Sequence, residues 1–324
     1  MANFKYNLDL DNYIFLKEDL ELAGQAYALS ACTTAGRVMP DSTPKPNEDA
    51  FSIVASSDGL WVAVFDGASS QKPIPELGDT SGARFASHTL KKLFESAPLE
   101  LDAQTVLSRL NQQLRAEFLG FSSVDFNDMN SLPTSTATIA HINVHTQSIE
   151  IAHVGDSFAT VLYTDGSTKL LTNDLHRQFD DRVIELIHNI ATQQNITPRE
   201  ARDDPQVKTA LMKMFQTTRN RPDGTGEGIV NGDPIMNQYI HAYEVPLSNV
   251  QALLIGSDGL VPPTMDERRD TDRKSLFDLV GTGTIKTLID HTRSVEDKDP
   301  DRWHVRYKHA DDATGILIQR SSPN

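Results

Sequence analysis

At 324 residues the chain can bury one large core or two ordinary ones, and its 23% charged and 38% hydrophobic residues exclude a disordered or fibrous protein. With 45 acidic against 30 basic residues the net charge is −15, which argues against a nucleic-acid backbone as main partner, because phosphate binding needs clustered Lys and Arg. The lone cysteine, Cys32, excludes a disulfide framework and a thiolate metal cage.

The opening MANFKYNLDLDNYIF has no uninterrupted apolar run of the signal-peptide kind, and no eighteen consecutive apolar residues occur anywhere; no membrane partner and a cytoplasmic location are expected. Residues 1–22, polar and acidic with scattered aromatics, read as an N-terminal extension. AYALS (26–30) reads as a first short strand and VMPDSTPKP (38–46) as a loop. FSIV and LWVAVF, separated by ASSDG, predict a hairpin. Helical spacing follows in 81–96 and 103–120. TATIAHINV and IEIAHV flank HTQS, and FATVLYT and TKLLT flank Asp165-Gly166, a pair that favours a type I′ turn: two further hairpins. Residues 180–218 turn helical, with a capping box of Thr197 as N-cap, Pro198 and Glu200. QALLIGSDG (251–259) is a buried strand, helices follow near 273–281 and 284–293, and TGILIQR (314–320) closes as a strand. Adjacent hairpins with helices between them predict an antiparallel α+β fold, organised as residues 23–324 with a helical insertion at about 175–245.

Carboxylates recur at the ends of these buried strands: Asp49 before one, Asp66 and Asp258 after two others, Asp156 inside AHVGDSFAT, and Asp311-Asp312 before the last. If the first hairpin turns between Ser57 and Asp58, Asp49 lies opposite Asp66; if it turns at Asp58-Gly59, the two are diagonal neighbours. Either way the side-chain period of two puts both on one face. Crowded carboxylates need a cation, and an all-oxygen donor set suits Mg²⁺ or Mn²⁺ better than zinc. Cys32-Thr-Thr-Ala-Gly-Arg37 is one residue too short for the phosphate loop of a cysteine phosphatase, and Cys32 reads as a buried strand residue.

NEDA, FDGAS, TSTATIAHINV, HVGDSFAT, LIGSDGL and ADDATGILI occur in the order and approximate spacing of the metal-dependent serine/threonine protein phosphatases of type 2C. From about Ala26 to Ile318 the chain resembles that family, and its bacterial members in particular. The resemblance implies two antiparallel β-sheets packed as a central sandwich flanked by helix pairs, four layers in all, with a metal centre at one sheet edge. It implies Asp66 as bridging carboxylate, the Gly67 carbonyl as ligand, Glu48 and Asp49 on the side of the second metal, and Asp258 and Asp311 on the first. Asp156, with Asp258, would recruit a weakly held third ion. Asp49, Asp66 and Asp258 are thereby the catalytic set, with two Mn²⁺ or Mg²⁺ as cofactors. The implied reaction is hydrolysis of phosphoserine or phosphothreonine on a protein substrate by a hydroxide shared between two ions, with no phosphoenzyme. The insertion at 175–245 corresponds to the family's flap.

Two positions depart from the family pattern. Ala68 stands where many members carry a His, and Pro44 stands where a phosphate-gripping Arg is expected, leaving Lys45 or Arg37 as replacements. Both departures motivate an alternative reading, a non-catalytic phosphatase-fold regulator that binds a phosphoprotein. A haloacid-dehalogenase reading of VFDGAS lacks the second Asp and conflicts with the hairpin topology.

Overall fold

The computed structural model describes residues 13–38, 45–68, 72–173, 175–264 and 273–321. Two antiparallel sheets form its centre. One has six strands in the order β1-β2-β11-β10-β7-β8, the other five in the order β3-β4-β5-β6-β9. The strands are β1 (Tyr13–Leu22), β2 (Gln25–Thr34), β3 (Ala50–Ser56), β4 (Gly59–Ala68), β5 (Thr134–Asn143), β6 (Ser148–Val154), β7 (Phe158–Tyr163), β8 (Thr168–Leu170), β9 (His241–Pro246), β10 (Val250–Gly256) and β11 (Ala313–Arg320). Helices α1 (Gly82–Ser96) and α2 (Ala103–Phe118) cover the five-stranded sheet; α6 (Lys274–Val280) and α7 (Ile285–Asp297) cover the six-stranded one. The expected α+β sandwich with outer helix pairs is therefore what the chain forms.

The period of two along β4 explains the layering. Trp61 and Phe65 turn outward, and their rings meet Phe94 of α1 at centroid distances of 6.3 and 6.0 Å. Leu60, Val62, Val64 and finally Asp66 lie on the other face, so the carboxylate ends a row of apolar side chains. Cys32 is fully buried with Leu254, Leu276 and Leu288 in the core beneath α6 and α7, and burial pushes its thiol up to about 12. It is a packing residue, as expected.

Three expectations need correction. Residues Tyr13–Leu22 are not an extension: they form β1, pairing with β2 through a two-residue turn whose Ala23 and Gly24 both have positive φ, the I′ geometry. As an edge strand, β1 buries only alternate residues, Ile14, Leu16 and Leu20 partly and Leu22 fully, so its composition stays polar. The Asp165-Gly166 turn is not type I′, because only Gly166 has positive φ; the loop is the three-residue kind with a left-handed glycine. Tryptophan is a residue type expected to pack, yet Trp303 is 66% exposed.

The insertion divides in two. Helices α3 (Arg177–Gln194), α4 (Pro198–Ala201) and α5 (Pro205–Thr218) build a small core of Val183, Ile187, Ile190, Val207 and Leu211, with Val305 packed in. The Thr197–Glu200 capping box forms as expected. The remainder of 175–245 belongs to the sandwich: Val230 bridges Ser135 of β5, and β9 is an edge strand of the five-stranded sheet. Its alternate exposure again weakens the apolar signal.

Candidate active site

Five chain segments end at one edge of the sandwich. The first hairpin pairs Ser56 with Gly59 and Ala50 with Phe65, which selects the turn between Ser57 and Asp58 and, one step further, sets Asp49 against Asp66. In the other sheet, the end of β10 (Gly256) lies between Phe158, at the start of β7, and Gly315, two residues into β11. Asp258 therefore leaves one strand beside the points where Asp156 and Asp311 lead into the next two. Glycines make this convergence possible: a Cβ on Gly67 would come within 2.5 Å of the Glu48 carbonyl oxygen, and one on Gly259 within 2.0 Å of the Asp312 carbonyl oxygen. The Asp-Gly pairs are thus close backbone approaches rather than turn signals alone.

Electrostatics ties the acids together. Burial, followed by the charges of Asp49, Asp258, Asp156 and Asp311, drives the Asp66 carboxyl well above the ordinary carboxylate range. Asp49, 1% exposed, is pushed up to about 8 by burial and then by Asp312. Desolvation and the charges of Asp156, Asp311 and Asp49 raise Asp258; because its side chain opens onto solvent, charge crowding is the weightier cause. Asp311 goes the other way: burial would raise it, but the Lys308 ammonium, 2.5 Å from its Oδ1, holds it low.

Hydrogen bonds position the donors. Ser257 Oγ donates to Asp49 Oδ2 at 2.7 Å, and the Asp49 amide donates to Asn47 Oδ1 at 3.0 Å. Ser81 Oγ donates to Glu48 Oε1 at 2.5 Å, at the N-terminus of α1. Asp312 accepts from the Gly36 and Glu48 amides at 2.7 and 3.1 Å, so the second acid of the Asp311-Asp312 pair fixes backbone. Lys308, 3.9 Å from Glu48 Oε2, is a residue that linear spacing did not single out. A cavity of about 190 Å³ opens here, its lining including Asp156, Asp258, Asp311, Lys308, Arg177 and Tyr307.

Arg37 and Lys45 do not line that cavity. Arg37 is ion-paired to Asp297 at 2.5 Å, Lys45 is exposed, and Pro44 lies outside the described residues. At the N-terminus of α3 sits a second group missing from the sequence reading. His176 Nδ1 lies 3.2 Å from Glu227 Oε2 and 3.8 Å from Asp156 Oδ2. Burial alone would lower this imidazole, but Glu227, Asp156 and Asp180 raise it to about 9, so it is a cation at neutral pH. Asp180, pushed up to about 7 by burial, accepts from the Tyr307 hydroxyl at 3.2 Å.

The donor set fits hard divalent cations: it is all oxygen, carboxylates crowd without enough counter-charge, and buried Asp156 Oδ1 has no hydrogen-bond partner. Among the described residues no three such side chains are already closed to ligand distance around one point. Lys308 occupies Asp311 and Ser257 occupies Asp49 instead.

A family model described as protein phosphatase 2C matches residues 42–292. Among solved structures, RsbX in complex with magnesium superposes with a TM-score of 0.51 at 15% identity, over 95% of this chain and 100% of its own. The Mycobacterium tuberculosis serine/threonine phosphatase PstP/Ppp gives 0.50 at 15% identity, over 91% of this chain and 99% of its own. At such identities the likeness establishes the fold. No curated protein matches the sequence significantly.

Proposed function

The chain belongs to the protein phosphatase 2C family, and on that premise we propose that it is a Mn²⁺- or Mg²⁺-dependent hydrolase of phosphoserine and phosphothreonine on proteins. The observation that carries the reading is the meeting of Asp49, Asp66, Asp156, Asp258 and Asp311 at one sheet edge, where each raises or feels the charge of the others. Asp66, central to that field and facing Asp49, would hold the cations together with the Gly67 carbonyl; Glu48 and Asp49 would serve on one side, Asp258 and Asp311 on the other, and Asp156 with Asp258 would hold a further ion. Divalent cations bound there would supply an activated water and neutralise phosphate charge.

The protein's own part is positioning. Ser257 and Asn47 hold the Asp49 carboxylate and backbone, Asp312 locks the Glu48 amide, and the Gly67 and Gly259 contacts draw neighbouring segments together within each sheet. Of the flap helices, α3 walls the cavity on one side through Arg177, Asp180 and Ile184, where it excludes water and meets the substrate chain. Substrates are phosphorylated proteins, not nucleic acids, in keeping with the net charge of −15. No helix of the described residues is long and apolar enough to cross a membrane, and we assign the protein to the cytoplasm.

Hydrolysis of para-nitrophenyl phosphate or a phosphothreonine peptide with Mn²⁺, abolished by chelator and by Asp66→Asn, is the expected result. Turnover indifferent to chelator would end the proposal. Pro44 and Ala68 favour a second reading, a phosphatase fold that binds phosphoproteins without cleaving them. It requires phosphopeptide binding by calorimetry with no turnover at saturating Mn²⁺.

A further inference from the structure

The family's phosphate-gripping Arg is replaced by Pro44, and a phosphate dianion at this acid cluster still needs a cation of the protein's own. Lys308 is placed for that task. Its Nζ lies 2.5 Å from Asp311 Oδ1 and 3.9 Å from Glu48 Oε2, it lines the cavity with Asp156 and Asp258, and the backbone directly after it is pinned. The amides of His309 and Ala310 donate to the carbonyls of Val38 and Arg37 at 3.2 and 2.9 Å, and Arg306 Nε donates to the His309 carbonyl at 2.8 Å. A fixed backbone with a four-carbon stem gives the ammonium a reach of a few ångströms from a constant origin.

Four other cations nearby are placed differently. Arg306 makes a 2.7 Å ion pair with Asp299 and donates to four carbonyls. Arg293 bridges Glu296 and the Asp311 carbonyl. Arg273 lies over the Phe158 ring, 5.6 Å from its centroid, and Arg37 is held by Asp297.

Resting on the phosphatase reading above, we propose that Lys308 binds the substrate's phosphate, and that Asp311 and Glu48 hold it in reserve until they are engaged by divalent cations. A carboxylate shared with a dication attracts an ammonium far less, and Lys308 then turns to the most negative group left in the cavity, the phosphate. Asp311 thereby couples the two events: phosphate binding is strong only when the acid set is loaded.

The test measures inorganic phosphate binding to the Mn²⁺-loaded full chain by calorimetry, and Mn²⁺ binding separately without phosphate. Lys308→Met should weaken phosphate binding tenfold or more and raise KM for a phosphothreonine peptide in parallel, with kcat changed less than threefold. Mn²⁺ affinity should be equal to or tighter than wild type, because the competing ammonium is gone. Lys308→Arg, which keeps the charge, should recover most of the phosphate affinity and covers the case in which the Met variant folds poorly. Phosphate affinity within twofold of wild type in Lys308→Met overturns the proposal, as does a wild type that binds no phosphate. Loss of Mn²⁺ and phosphate binding together marks a structural role and also overturns it, as does a tenfold loss in Arg37→Met or Lys45→Met instead. Lys308-dependent phosphate binding without turnover would sustain this inference while removing the catalytic reading; turnover with Lys308-independent binding would do the reverse.

Discussion

Replacing Asp66 by Asn should make the metal-free protein more stable while removing its response to metal. The hairpin register sets Asp66 against Asp49, with Cβ atoms about 5 Å apart for directly opposed residues. At an effective dielectric constant of about 20, two unit charges at that separation repel by about 3 kcal/mol. Protonation of one carboxyl relieves part of this at a comparable cost, and Asp258, Asp156 and Asp311 add to the field at Asp66. An amide of the same shape removes the charge and keeps the packing. At about 2 °C per kcal/mol for a chain of this size, Tm without metal should rise by about 4–6 °C at pH 7.5. Wild-type protein in Mn²⁺ at a hundred times its Kd should gain about 2.7 kcal/mol, or about 5 °C; the variant should gain about 1 °C or less. Differential scanning calorimetry with chelator and with Mn²⁺ gives all four values. If the folded variant melts below wild type in chelator, or keeps the whole Mn²⁺ shift, charge crowding does not dominate this edge and the cation assignment loses its physical basis.

The remaining expectations concern acid stability, the backbone cradle and the flap. His141, 3% exposed and stacked on Trp61 at 3.9 Å, is lowered by burial to about 4 from 6.5. Its unfolded form takes up a proton first as pH falls, so the stability it preserves above pH 6.5 is lost progressively down to pH 4. His141→Phe should remove about 2 kcal/mol of the wild-type stability difference between pH 7.5 and 5.0 in urea unfolding; an unchanged difference would show that His141 is not the acid-sensitive group. Gly67→Ala places a methyl 2.5 Å from the Glu48 carbonyl oxygen and 2.9 Å from the Ala83 carbonyl. The forced shift should cost about 1–3 kcal/mol and weaken Mn²⁺ binding more than tenfold; calorimetry showing wild-type affinity would exclude a cradle role. Ile187→Ala, in the fully buried centre of the flap core, should cost about 2–4 kcal/mol locally. Hydrogen exchange should then speed up in 177–218 and leave β4 and β10 protected; equal acceleration in both would mean that the flap does not open as a unit.

Much of this protein is written locally. The apolar runs FSIV and LWVAVF, the turns between hairpin strands, the Thr197–Glu200 capping box and the apolar run before Asp258 specify their elements because short buried runs, turn geometry and caps act within a few residues. The six motifs, five of them acid-bearing and met in order, were enough to point to the family and to place five carboxylates at strand ends. Edge strands were the weak point. β1 and β9 bury only one side, so their composition resembles a loop, and only pairing with β2 and β6 makes them strands. What the tertiary structure alone decided is which distant groups meet. Packing selected the register that sets Asp49 against Asp66, gave Arg37 to Asp297, buried His176 between Glu227 and Asp156, and brought Lys308 to Asp311 and Glu48. Glu48 and Lys308 stand hundreds of residues apart, and no periodicity carries information over that range; their approach follows from how two sheets stack, a property of the whole core rather than of either segment.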